Sequence, residues 1–230
     1  MRSRLKAAVP QVARRWIKIN RARLFETIGS ARYSTPALSR LDRVMLQYLP
    51  DEPGVFLEIG ANDGYAQSNT YYLEKFKSWR GILIEPLPSL YRTCQRVRPN
   101  STCVNVACVG PEGPASVDMV DLGLMSVALG LQERGEEASR LSGRPKGQVN
   151  ILTRTLSSII EEVGEPTIDF MSIDVEGAEL EVLSGLDLDR HAPNYLLVET
   201  AHPEKITLLV SPHLRLERKL THHDYLFARL

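Results

Sequence analysis

The chain has 230 residues, 43% of them hydrophobic and 24% charged, which is enough apolar material for one α/β domain with an extension or for two small domains. Lys plus Arg and Asp plus Glu both number 28, so the formal charge is zero and there is no global electrostatic case for a nucleic-acid partner. Cys94, Cys103 and Cys108 form no Cys-x-x-Cys pair and read as reduced thiols of a cytoplasmic protein; no apolar run approaches the roughly 18 residues of a membrane span, and the basic N-terminus lacks the apolar core of a secretory signal.

Residues 1–23 carry eight Lys or Arg and no acid. Val9, Val12, Trp16 and Ile19 recur at helical spacing, which predicts a basic amphipathic helix. Its apolar stripe either packs on the rest of the chain or meets an anionic membrane surface, which would make the protein peripheral to a membrane. The punctuation PDEPG at 50–54 sets the expected start of the main domain at Asp51, leaving 1–50 as an extension that a shorter chain can lose. Beyond it, apolar runs alternate with helical patterns. Strands are expected at Val55–Gly60, Gly81–Glu85, Thr102–Val109, Ser116–Asp121, Gln148–Thr155, Ile168–Val175 and Asn194–Thr200. Helices are expected at Ser68–Lys77, Ser89–Val97, Leu156–Val163, Ala178–Leu186 and Glu204–Val210. Leu214–Leu220 and Tyr225–Leu230 read as a closing antiparallel hairpin. This is the pattern of βαβ units and a mostly parallel sheet covered on both faces, whose ligands sit outside the carboxyl ends of the strands. Residues 110–148, rich in glycine and carrying the apolar run 122–131, read as an irregular lid or acceptor loop.

The first strand ends in EIGANDG. Gly60 and Gly64 allow a tight turn and close approach to the main chain. The spacing is Gly-x-x-x-Gly and not the Gly-x-Gly-x-x-Gly of dinucleotide binding, and no Tyr-x-x-x-Lys dyad accompanies it, which argues against a nicotinamide oxidoreductase. The acids Glu58 and Asp63 suit a cationic ligand group, as in S-adenosylmethionine. Glu85, closing the second strand, has the placement to accept both hydrogens of a ribose diol. The fourth main strand delivers Asp174, Glu176 and Glu179 in the run IDVEGAE.

GANDG followed by SNTYYLEK, then LIEP, NVAC and SIDVEGAELEVLSG, in this order, resembles the FkbM family of S-adenosylmethionine-dependent methyltransferases over roughly residues 52–230. The resemblance implies a Rossmann-like, seven-stranded class I methyltransferase sheet and O-methylation of a hydroxyl, often of a sugar in a glycan or a secondary metabolite. It also implies that Glu58, Gly60, Asn62 and Gly64 line the methionine portion of the cofactor. Asp63, Ser68, Asn69 and Thr70 would cap its carboxylate or shape the helix entrance, Glu85 would hold the ribose, and Pro86, Asn105, Val106 and Ala107 would lie along the adenine. Thr155-Leu156-Ser157 departs from the family's usual Thr-Leu-Asp. A hydroxyl acceptor needs a base or a metal to lose its proton. Candidates are Asp174, Glu176, Glu199 and His202, with Asp174 and Glu199 as an alternative pair of Mg²⁺ ligands, and Asp174 also able to face the cofactor's ammonium. His222 and His223 read as solvated turn residues. A non-catalytic binding protein on the same fold is the remaining alternative.

Overall fold

The apolar runs after residue 54 do form buried strands, and their order places every carboxyl end on one edge. The computed structural model describes residues 11–121, 126–128, 148–164 and 167–230, with side chains over 13–119, 148–164 and 167–230. Val9, the Val12 side chain, most of the apolar run 122–131 and most of the glycines of the expected loop lie outside the described residues. In chain order the elements begin with α1 (Gln11–Glu26), a single 3₁₀ turn at Leu38–Arg40, α2 (Leu41–Met45), β1 (Val55–Ile59), α3 (Tyr71–Phe76), β2 (Arg80–Ile84) and α4 (Pro88–Val97). Next come β3 (Thr102–Val104), β4 (Ala107–Cys108), β5 (Ser116–Asp121), β6 (Ser126–Ala128), β7 (Gln148–Arg154), α5 (Leu156–Val163) and β8 (Phe170–Ile173). The chain closes with α6 (Glu179–Ser184), α7 (Leu188–His191), β9 (Tyr195–Glu199), α8 (Pro203–Val210), β10 (Leu214–Lys219) and β11 (Asp224–Arg229).

Seven strands form one sheet in the order β10–β11–β9–β8–β1–β2–β3. The pairs from β9 to β3 are parallel, and β11 runs antiparallel to both its neighbours. The expected closing hairpin is therefore present. The alternation of side chains along a strand divides the core into two layers. Leu57, Ile59, Ile82, Ile84, Met171 and Ile173 pack on one face. Phe56, Leu83, Phe170, Leu197 and Leu226 pack on the other, with Leu73, Trp79 and Cys94. All three cysteines are free thiols.

Two expected elements are revised. The run TCVNVACV is two strands in two sheets: β3 continues the main sheet, while β4 pairs in parallel with β7 in a smaller sheet of order β4–β7–β5–β6. The break comes at Asn105, whose Nδ2 donates to the carbonyls of Glu85 and Pro86 at 2.8 and 2.7 Å, in place of a ladder. The expected helix from Ser68 begins only at Tyr71, because Ser68–Thr70 are drawn toward Glu58.

The segment ahead of the expected boundary packs on the sheet's helices. Ile19 and Ala22 are fully buried with Tyr65, Tyr71 and Val97. Glu26 accepts from Ser34 Oγ and from Tyr71 OH at 2.7 and 2.9 Å. Leu41, Met45 and Leu49 belong to the layer of Phe56, Leu73 and Trp79. Each such apolar side chain is worth about 1.5–3 kcal/mol when buried, so a chain beginning at Asp51 is expected to melt well below the full chain. An unchanged melting temperature in calorimetry would instead keep residues 1–50 as a dispensable extension.

Candidate active site

Strand alternation turns Glu58 toward the face covered by α3 and α4, where it is buried. Its oxygens accept from Ser68 Oγ (2.9 Å), Thr70 Oγ1 (2.6 Å) and the Asn69 N–H (2.8 Å). A carboxylate in a buried strand thus has a structural use here: it ties down the Ser68–Thr70 segment. Sequence reasoning missed the cation that completes it. Arg98, at the end of α4, has no exposed surface. Its Nη1 lies 3.5 Å from Glu58 and donates to Ser68 Oγ (3.2 Å) and the Gly64 carbonyl (3.3 Å), Nη2 donates to Thr70 Oγ1 (2.9 Å), and Nε donates to Glu74 (2.8 Å). Burial alone would raise the Glu74 carboxyl, but Arg98 and Ser101 outweigh it and hold it below its ordinary value. No local motif announces this arginine.

The two glycines answer to the protein itself. At Gly60 (φ +83°) an added Cβ would stand 1.9 Å from the Asp174 carbonyl oxygen, and at Gly64 (φ +80°) it would meet Arg98 Cγ at 2.9 Å and Cys94 Cα at 3.1 Å. The close approach expected of a ligand at Gly64 is made by α4, and Gly64 does not line the cleft. Gly60 does.

At the carboxyl ends of β1, β2 and β8 lies a cleft of about 1020 Å³, solvent at its mouth included. Glu58, Gly60, Asn62, Ser68 and Asn69 line it from the first turn. Glu85, Pro86, Val106 and Ala107 follow on the β2 side, and Asp174 and Glu176 on the β8 side. Ile84, Leu90 and Met119 supply an apolar wall that sequence reasoning did not name. Asp63, Thr70 and Asn105 stand behind this lining: Asp63 Oδ1 accepts from the Tyr65 and Ala66 N–H groups, Thr70 serves Glu58, and Asn105 turns the chain. Glu85 accepts from the Asn62 N–H (2.8 Å) and the Leu87 N–H (2.9 Å). Burial pushes its carboxyl up to about 7, against those two hydrogen bonds and Arg15. Among the described residues, six that are not glycine have positive φ: Ser39, Arg40, Asn62, Gln67, Ser78 and Glu176. Four of these line this cleft or the next, the placement expected of backbone strain held at a functional site.

A second cleft, of about 850 Å³, shares Gln67, Asn69, Ser172 and Asp174 with the first. Its far wall holds Glu199, Asp224, His222 and His223. The two histidines are exposed, as expected, but they also border this cleft. Asp174 is partly buried, and burial, then Glu199, Glu176, Asp224 and Glu179, raise its carboxyl well above the usual range. Burial and Asp224 likewise raise Glu199, with His223 opposing them. Between the clefts, Asn69 Nδ2 donates to Ser172 Oγ at 3.0 Å, while its Oδ1 is buried with no hydrogen-bond partner. His202 lines neither cleft; it opens α8, with Nδ1 3.7 Å from Glu204. Among the described residues no group of three or more His, Cys, Asp or Glu side chains is arranged to hold a metal ion. The expected Mg²⁺ site at Asp174 and Glu199 is therefore not supported.

A family model described as the methyltransferase FkbM domain matches residues 58–227. Among solved structures, the methyltransferase FkbM from Methylobacillus flagellatus KT is similar at TM-score 0.47 and 17% identity, covering 77% of this chain. This chain spans only 44% of that protein's length. The O-methyltransferase from Bacillus cereus in complex with S-adenosylhomocysteine is similar at TM-score 0.49 and 10% identity, over 93% of this chain and 90% of that one. TrmK of M. capricolum, in complex with S-adenosylhomocysteine, is similar at TM-score 0.44 and 10% identity, over 84% and 67%. No curated protein matches this chain.

Proposed function

Because the chain belongs to the FkbM methyltransferase family, we propose that it binds S-adenosylmethionine in the cleft at the ends of β1, β2 and β8 and methylates a hydroxyl group presented from the second cleft. The observation that carries this reading is the sharing of Asp174, Asn69, Gln67 and Ser172 by two clefts of different character. One has an apolar wall and a buried acid suited to an adenosine. The other is bordered by Glu199, Asp224, His222 and His223 and is lined also by Leu38, Leu41, Ile173 and Leu197.

The residues present fit the cofactor. Leu90, Met119, Val106 and Ala107 offer an apolar slot for a purine, and Pro86 closes its edge. Glu85, with its two backbone donors in place, keeps acceptor capacity for the ribose hydroxyls. Glu58 serves as a positioning residue, holding Asn69 at the junction of the clefts. Glu176, on the same wall as Asp174, adds negative charge suited to a cationic ligand. When bound, S-adenosylmethionine supplies a methyl group on an excellent leaving group, so the protein's task is alignment and removal of a proton.

Asp174 is the base in this reading. A carboxylate whose pKa is raised by burial and by its acidic neighbours is a stronger base than an ordinary one once it has lost its own proton. Glu199 borders the acceptor on the opposite side. None of the described residues lining the second cleft is Lys or Arg, so a neutral polyhydroxylated acceptor, such as a sugar of a glycan or a secondary metabolite, suits it better than a phosphorylated or carboxylated one.

Calorimetry tests the cofactor assignment, with S-adenosylmethionine and S-adenosylhomocysteine expected to bind and NADPH not. The ionised form of Glu85 is the better acceptor for a ribose diol, and its folded pKa lies near 7. Affinity should therefore weaken as pH falls from 8 through about 7, and Glu85→Gln should bind more weakly with a flatter pH profile. The same group works in the opposite sense on the stability of the ligand-free protein: a raised acid pKa gives a contribution that is present below the unfolded value near 4.5 and is lost as pH rises through about 7. Tight NADPH binding without affinity for S-adenosylhomocysteine would overturn the assignment.

A further inference from the structure

Helix α1 has two apolar faces. One, through Ile19 and Ala22, is fully buried against the body of the protein. The other is a line made by Ile17, Leu24 and, just past the helix end, Ile28. These three side chains are 60%, 66% and 75% exposed. Their spacings of seven and four residues set them on the same side of a helix, opposite to Ile19 and Ala22.

The charge beside this stripe is of one sign. Arg14, Lys18 and Arg21 are exposed along its flank, and Arg21 is held in place over the Tyr33 ring at 4.0 Å. Residues 1–30 contain eight Lys or Arg and a single acid, Glu26, which is turned inward to Ser34 and Tyr71. The stripe lies outside residues 58–227 and touches neither cleft, so methyl transfer gives no account of it. Three apolar side chains are too few to hold a protein on a bilayer by insertion alone, and a row of cations alone would not need them. Together they have the composition of an interfacial helix that lies in the headgroup layer of an anionic membrane.

We propose that the outer face of α1 is a docking surface for anionic lipid bilayers, with Ile17, Leu24 and Ile28 entering the interface and Arg14, Lys18 and Arg21 meeting the headgroups. This does not rest on the methyltransferase reading. The described residues contain no helix long and apolar enough to cross a membrane, and the attachment is peripheral and reversible.

The test is co-sedimentation of the full chain with vesicles of phosphatidylcholine, alone and mixed with phosphatidylserine. Binding is expected only with phosphatidylserine, and should vanish near 1 M salt, where the Debye length is about 3 Å. Each cation at such a surface is worth about fivefold in affinity, so Lys18→Glu, a change of two charges, should weaken binding about 25-fold. The double variant Ile17→Asp with Leu24→Asp should weaken it at least as much, with melting temperature and S-adenosylhomocysteine affinity unchanged. The proposal is overturned by equal binding to neutral vesicles, by no binding to either kind, or by binding that both variants retain. It is also overturned if the double variant converts a dimer to a monomer and vesicles do not compete for the dimer, for then the face belongs to a second copy of this chain.

Discussion

Asp174→Asn is expected to lower turnover by about 10²–10⁴-fold, the range for a lost general base, while leaving affinity for S-adenosylhomocysteine within a few-fold of the native value. The variant keeps the shape of the side chain and its place at the junction of the two clefts. It removes the acceptor for the substrate proton. Its effect on stability should run the other way. Burial disfavours the charge of Asp174, and repulsion by Glu199, Glu176, Asp224 and Glu179 adds to that cost. The folded state therefore holds its proton more tightly than the unfolded chain does. Ionising it above the unfolded value near 3.8 costs stability that the amide does not. A variant that melts at or above the native temperature and yet turns over poorly separates a chemical role from a structural one. Glu199→Gln in parallel shows whether the opposite wall shares the task. If Asp174→Asn loses cofactor affinity instead, this carboxylate faces the cofactor's ammonium and the base lies elsewhere. Full turnover by both amides would remove the mechanism.

Arg98→Met should destabilise the fold by about 3–5 kcal/mol, because it strands Glu58 and Glu74 as buried carboxylates without their cation. Denaturant unfolding at neutral pH measures this. Arg98→Lys should fall between, since an ammonium keeps the charge but cannot reproduce the fork that reaches Gly64, Ser68, Thr70 and Glu74 together. A second variant distinguishes positioning from stability alone. Replacing Arg98 and Glu74 both by Met removes the pair as a unit, and a pair so replaced is often tolerated. Stability should then recover in part, with Glu58 still lacking its cation. Cofactor affinity should not, because Ser68 and Thr70 no longer have the guanidinium that seats them under Glu58. If affinity recovers with stability, Arg98 is a core residue and nothing more.

Arg98 also marks the boundary of what could be read without the fold. The parallel sheet, its closing hairpin and the acids at Glu58, Glu85, Asp174 and Glu199 follow from local pattern. An apolar run of strand length between helical segments leaves few ways to bury itself, and the residue that ends such a run in a parallel sheet stands at the ligand edge whichever neighbours it pairs with. The family resemblance likewise rests on contiguous motifs. The family match and the seven-stranded order agree with it.

Direction and partner choice were not local. That Glu58 faces Ser68 and Thr70 depends on which side of the sheet α3 and α4 cover. Gly60 must be glycine because β8 brings the Asp174 carbonyl against it from more than a hundred residues away. His202 follows Glu199 by three residues, but the turn into α8 carries it out of the clefts, while His222 and His223 come to the rim through the antiparallel pairing of β11 with β9. TCVNVACV has the composition of one strand, and the side chain of Asn105 splits it by satisfying two carbonyls that a ladder would otherwise leave open. Helix α1 shows the division within a single element. Periodicity alone gave it an apolar stripe at Trp16 and Ile19. Only packing could decide that Ile19 is consumed by the core and that Ile17 and Leu24 are left facing outward, because burial belongs to a pair of surfaces and a sequence specifies one of them at a time.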